Sequence, residues 1–160
     1  MATHNYETLL VKGTGISSEQ LRSLLKVSDR TGRPIKEALE AKTYHTPEEA
    51  LAELCDCLGV AFMKEIPYGD IPVDLIRDIP INYAKENEVL PFRLDADSLT
   101  VLASNPLNLM VLDDLRVLFD RRIEVKVTTS SKIQDAINRV YEKSTAALEG
   151  LDDIESEEYD

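Results

Sequence analysis

At 160 residues the chain is long enough for one ordinary domain or two small ones, each near the lower size limit for an independent core. A hydrophobic fraction of 43% with 30% charged residues excludes wholesale disorder, and no stretch approaches the ~18 to 20 apolar residues of a membrane span. The net charge of −12 excludes a nucleic-acid partner held by its phosphates, and Met1 to Leu10 lacks the basic flank and apolar run of a signal peptide, so a cytoplasmic protein without direct membrane insertion is expected.

The first helix signal is Ser17-Ser18-Glu19-Gln20, a capping box with Ser17 as N-cap and Ile16 placed to staple onto Leu21. Leu21, Leu24 and Leu25 form its apolar face, and Gly32 offers a left-handed stop. Pro34 to Lys42 predicts a short helix carrying Ile35, Ala38 and Leu39. Thr46-Pro47-Glu48-Glu49 repeats the start signal, with Leu51, Leu54 and Leu58 on the buried face and Gly59 as terminator. The two capped starts are 29 residues apart, and the same offset superposes Leu10 on Leu39, Leu21 on Ala50 and Leu25 on Leu54. Residues 1–59 therefore read as a helical tandem repeat. Cys55 and Cys57 fall in its last helix on different faces, so they do not pair with each other and read as buried core residues. With only His4 and His45 besides, no standard zinc spacing exists, and no metal is expected.

The texture changes after Gly59, and Ile66 to Asp70 reads as a connector. Pro72 begins a helix through Val73, Leu75 and Ile76, and Pro80 restarts it toward Tyr83, Ala84 and a terminator at Asn87. Val89–Leu94 and Ser98–Ala103 alternate as two strands joined by Asp95-Ala96-Asp97. Asn105-Pro106 turns the chain into a helix with Val111, Leu112, Leu115, Leu118 and Phe119 on its stripe, and Arg122 to Thr128 is the next strand. Ser131, with Gln134 in capping-box register, opens a last helix bearing Ile133, Ala136, Ile137, Val140 and Tyr141. The fold class predicted is α+β: the helical subdomain, then a small α/β sandwich-like domain over 60–143 with a largely antiparallel sheet. Glu149 to Asp160 holds seven acids and no base, leaving −5 for everything before it, so 144–160 reads as an acidic flexible linker.

Chemistry-bearing patterns are sparse. Gly13-Thr14-Gly15 lacks the lysine and spacing of a phosphate-cradling P-loop, and no other segment supplies one. Asp113-Asp114 diverge on a helix and serve its first turns rather than a metal. Lys85, Arg93 and His45 read as surface residues. No catalytic residue is assigned, and the chain is expected not to be an enzyme.

Two sets of residues carry a family resemblance. The apolar positions Tyr6, Leu10, Leu21 and Leu25, repeated at Ile35, Leu39, Ala50 and Leu54, resemble the tandem MshE-type domain at the N-terminus of secretion and pilus assembly ATPases. In that family two motifs beginning Arg-Leu-Gly and ending in Gln bind cyclic di-GMP. Here the opening Arg is Asn5 and Pro34, the Gly is Glu7 and Lys36, and the closing Gln is Ser28 and Cys57, with Arg33 one residue out of register. The scaffold is kept while the residues that would stack on bases and pair with phosphate are lost, so no cofactor is expected. The second set is Pro80-Ile81, Tyr83-Ala84-Lys85, Val89-Leu90-Pro91, Ala103 to Asn108, Leu112 to Leu115, and Ile133 through Tyr141. In this order it resembles the N-terminal domain of the type II secretion ATPase, the GspE family.

The resemblance implies a non-catalytic docking and regulatory module. Its implied partners are the cytoplasmic domain of an inner-membrane platform protein, GspL-like, and the C-terminal ATPase domain of the same parent chain, where ATP and Mg would bind. It implies a cytoplasmic protein peripheral to the inner membrane. The alternatives are a cyclic di-GMP sensor or the equivalent module of a type IV pilus assembly ATPase. Exposed helix faces near Pro72 to Asn87 and Ser131 to Tyr141 are the candidate docking surfaces.

Overall fold

The computed structural model describes residues 6–158, with side chains through residue 146. Four helices come first: α1 (Tyr6–Gly13), α2 (Ser18–Leu24), α3 (Ile35–Glu40) and α4 (Pro47–Leu58). α1 precedes α3 by 29 residues and α2 precedes α4 by the same number, so the duplication is one of structure as well as sequence. Both predicted caps form. Ser17 Oγ accepts from the Gln20 N–H while Gln20 Oε1 accepts from the Ser17 N–H, each at 3.1 Å. Thr46 Oγ1 accepts from the Glu49 N–H at 3.2 Å, and Gly59 ends α4 at φ +72°. Tyr6, Leu10, Leu21, Ile35, Leu39, Leu51 and Leu54 are sealed into a shared core.

The second half builds a four-stranded sheet in the order β1-β4-β3-β2, from β1 (Ala61–Phe62), β2 (Val89–Leu94), β3 (Ser98–Ala103) and β4 (Arg122–Val127). Only the β2–β3 hairpin is antiparallel. β4 runs parallel to β3, with Val101 opposite Val125, and β1 adds parallel to β4, with Phe62 opposite Val127. The sheet is therefore mixed rather than largely antiparallel. The physical reason is the connection: β3 and β4 are joined through α6 (Leu109–Phe119), and a helical crossover returns the chain to start the next strand in the same direction.

Pro72 starts a short 3-10 turn at Val73–Ile76, and Pro80 precedes α5 (Ile81–Asn87), which ends on Glu88 in the left-handed region at φ 50°. The last helix, α7 (Ser130–Glu158), starts two residues earlier than an N-cap at Ser131 implies. The Thr129 carbonyl accepts from the Ile133 N–H, which puts Ser131 inside the first turn, and the Gln134 amide donates to the Lys85 carbonyl at 2.9 Å. The backbone stays helical through Glu158, across the stretch read as a linker; no proline follows Pro106 to stop it.

The sheet core gathers Leu90, Leu99, Val101, Leu102, Leu115, Ile133, Ile137 and Val140. Val127, at the end of β4, belongs instead to the helical core, against which Phe62, Leu107 and Val125 also pack. The helical half thus closes onto one end of the sheet.

Candidate functional site

Three features concentrate polar or exposed chemistry. The first is a cleft between the loop after α2 and the last turns of α4. Ser28 and Pro34 face each other in an isolated antiparallel bridge, and Gly32 at φ +87° makes the turn between them. Asp29 holds this loop: its Oδ1 accepts from the Thr31 N–H at 2.9 Å, the Thr31 hydroxyl at 2.7 Å and the Arg33 N–H at 3.0 Å. The Thr31 hydroxyl bond, with these amides, holds the Asp29 carboxyl below the usual carboxylate range. The cleft, about 490 Å³, is lined by Asp29, Arg30, Arg33, Glu53, Asp56 and Cys57 among others.

Of the residues singled out from the repeat motif, Cys57 lines this cleft together with Arg33, while Ser28 and Pro34 bridge the two ends of the 29–33 loop that supplies its other wall. Lys36 lies exposed in the first turn of α3, and Glu7 lies exposed on α1. Asn5 and His4 lie outside the described residues. Three carboxylates face two guanidiniums across the cleft lining, which is the wrong balance for a ligand carrying phosphates. Lys42 neutralises one of these carboxylates, its ammonium being held by Glu53 at 2.8 Å, a contact that raises the Lys42 pKa, and the lining is then left with no surplus of positive charge. Burial, then Glu53 and Asp29, push the Cys57 thiol up, so it supplies no thiolate at neutral pH. Among the described residues no group of His, Cys, Asp and Glu has the geometry of a metal site.

The second feature is a polar seam between the two halves, built on Asn105-Pro106. The Asn105 amide donates to the Gly15 carbonyl at 3.1 Å and to Gln20 Oε1 at 3.0 Å, while its Oδ1 accepts from the Leu107 N–H at 2.9 Å. The Gly15 N–H donates to Ser104 Oγ at 3.1 Å. Ser104 in turn donates to Glu88, whose same carboxylate oxygen accepts from Ser130 at 2.6 Å. A side chain at Gly15 would crowd Ser104 Oγ at 3.1 Å and Asn105 Cβ at 3.3 Å. Lys132 completes the seam, pairing with Glu48 at 3.0 Å and donating to the Lys64 carbonyl. The sequence marks Asn105-Pro106 only as a turn. Its reach back to Gly15, across 90 residues, has no local signal.

The third feature is the outer side of α6, where Leu109, Met110, Val117 and Leu118 are all exposed. Here Asp113 and Asp114 go to different partners, Arg116 at 3.6 Å and the Tyr83 hydroxyl at 3.1 Å. α6 starts at Leu109, so both aspartates sit in its second turn. Arg93 pairs with Asp95 at 3.5 Å, His45 is exposed, and Lys85 is half-buried on α5. Among the described residues no helix is long and apolar enough to cross a membrane.

Comparison with known proteins gives the family. The type IV pilus assembly ATPase PilB of Myxococcus xanthus (strain DK1622) is 32% identical over 153 residues, covering 92% of this chain and 27% of that protein. The chain thus spans about a quarter of the length of this curated relative. A solved structure of the N-terminal domain of XpsE has a TM-score of 0.50 at 18% identity, covering 87% of this chain and 98% of that one, and shares the fold. A structure of MshE with cdg has a TM-score of 0.48 at 19% identity, over 85% of this chain and 98% of that one. The model of the MshEN domain matches residues 58–147, from the end of α4 through the sheet and into α7, and on that match the chain belongs to the MshEN domain family.

Proposed function

We propose that this chain is a non-catalytic docking and regulatory module of a secretion ATPase, tethering the motor to the cytoplasmic domain of a GspL-like platform protein of the inner membrane. The observation that carries the reading is the 32% identity to a pilus assembly ATPase, extending over 92% of this chain but only 27% of the relative. A segment of that kind, with no P-loop in its sequence, is suited to binding rather than to nucleotide hydrolysis. ATP and Mg would then be bound by the ATPase domain of the parent chain, and association with the membrane would be peripheral, through the platform protein.

Calorimetry of this chain against the platform protein's cytoplasmic domain tests the reading. A saturable complex is expected, and no heat with a correctly folded cognate domain overturns it. A second reading, the equivalent module of a type IV pilus assembly ATPase, is favoured by the name of the curated relative. Titrating the pilus platform's cytoplasmic domain beside the secretion one separates the two, because the cognate partner binds more tightly.

Under either reading the 28–57 cleft has given up cyclic-dinucleotide sensing, as its carboxylate lining suggests. Labelled cyclic di-GMP should show no saturable binding up to about 100 μM, equivalent to a binding free energy weaker than about −5.5 kcal/mol. Saturation below that concentration would restore the sensor reading.

A further inference from the structure

The sheet has two edges, and they are finished differently. At β2, residues 89–92 are buried and Pro91 has no N–H to offer, so that edge takes no further strand. At the other edge, β1 reaches β4 only at Lys126 and Val127. Residues 122–124 of β4 have no strand on that side among the described residues.

The hydrogen bonds of β4 fix which groups face the gap. The Arg122 N–H donates to the Asp97 carbonyl at 3.3 Å and the Thr128 N–H to the Ala103 carbonyl at 3.0 Å, so the even-numbered residues turn their backbone toward β3. The Val127 carbonyl accepts from the Met63 N–H at 2.8 Å, on the β1 side. Because backbone groups alternate along a strand, the N–H and the carbonyl of Ile123 both point to the open edge. On either side of it, Arg122 and Glu124 share one face of the strand, paired at 3.2 Å with their side chains 72% and 52% exposed.

This segment is complementary to itself. When two copies lie antiparallel with Ile123 opposite Ile123, each Ile123 N–H meets the other copy's Ile123 carbonyl. The same register sets Arg122 of each copy opposite Glu124 of the other, so two opposite-charge pairs form across the strands. The neighbouring registers are repulsive: centred on Glu124, that residue faces itself and Arg122 faces Lys126, and centred on Arg122, that residue faces itself and Glu124 faces Asp120. Arg116, Arg121, Asp97 and Asp120, which line the hollow at the start of β4, are balanced in charge and leave the choice of register to Arg122 and Glu124. A row of like charges would keep this edge single, and the alternation of sign does not.

We propose that residues 122–124 of β4 pair with the same segment of a second copy of this chain, in a two-fold antiparallel dimer that continues the sheet from one molecule into the other. The pairing is independent of the docking function proposed above. With only three residues shared on each side, the dimer is weak and exchanges readily.

Sedimentation velocity of the full chain over about 5 to about 500 μM tests it, a range suited to so short a contact. A monomer–dimer equilibrium is expected, closing at the dimer because a two-fold contact leaves no surface for a third copy. Arg122→Glu alone, or Glu124→Arg alone, should weaken association at least about tenfold with unchanged circular dichroism, since both cross-strand pairs become repulsive. The two exchanges carried together in one chain should restore it, and so should mixing the two single variants. The Ile123 amide should exchange its hydrogen more slowly as concentration rises. A monomer at every concentration overturns the proposal, as does growth beyond a dimer. Association indifferent to the single charge reversals, failure of the double exchange to restore it, or an Ile123 amide unaffected by concentration overturns it equally.

Discussion

Burial pushes the Cys55 thiol up to about 12 and raises that of Cys57 as well, so neither residue presents a thiolate near neutral pH. With Cys55 at 1% exposure and Cys57 at 7%, a thiol reagent at pH 8 should label the native chain far more slowly than the denatured chain, as followed by absorbance. Rapid native labelling would contradict the packing of α4. Three tyrosines titrate late for a related reason. Burial pushes Tyr6, Tyr44 and Tyr141 up to about 12, reinforced at Tyr6 by Glu40 and at Tyr44 by Glu53. A folded-state pKa raised above the unfolded value near 10 contributes stability that is fully present below that pH and lost as pH rises toward 12. Denaturant titrations should therefore show this contribution intact up to about pH 10 and falling between about 10 and 12, in step with tyrosinate absorbance. The buried role of the cysteines was legible in the sequence, because free cysteine in an apolar helix face is a local pattern. The cleft beside Cys57 was not: Asp29, Thr31 and Arg33 form a wall only once Pro34 folds back on Ser28.

Among the elements, α1 packs tightly against α4 at Gly13. A Cβ on Gly13 would come within 2.2 Å of Pro47 Cβ, so Gly13→Ala forces the helices apart. We expect a loss of about 1 to 3 kcal/mol by chemical denaturation, the usual cost of overpacking. Gly69→Ala, where nothing lies within 4 Å, is the control and should be near neutral. Removing the N-cap hydroxyl of α2 by Ser17→Ala should cost about 1 kcal/mol in the same measurement. These caps were readable because a cap is written within four consecutive residues. β1 was not readable, because two residues make a strand only by pairing with β4, which lies more than sixty residues further on. The direction of β4 was lost for the same reason: alternation identifies a strand but carries no information on which way its neighbour runs.

At the scale of the whole molecule, Asn105 ties the sheet half to the helical half. Asn105→Ala removes donors to the Gly15 carbonyl and Gln20, together with the acceptor of the Leu107 amide. A cost of about 1 to 3 kcal/mol is expected, and amide hydrogen exchange should rise in α1 and α2 more than in β3. Equal loss of protection in both halves would show that the seam is not where they part. The α+β class was legible from the order of periodic segments, but the seam was not, since its partners are brought together only by the complete fold. The placement of Val127 has a practical consequence for dissecting the protein. Its side chain is the sheet's fully buried contribution to the helical core, against which Phe62, Leu107 and Val125 also pack. A fragment cut after α4 would bare this apolar strip to water, and a fragment cut before β1 would leave the helices without the plug that closes them. Either piece, made alone, should be prone to clumping through the newly uncovered strip, and adding its counterpart should keep it in solution.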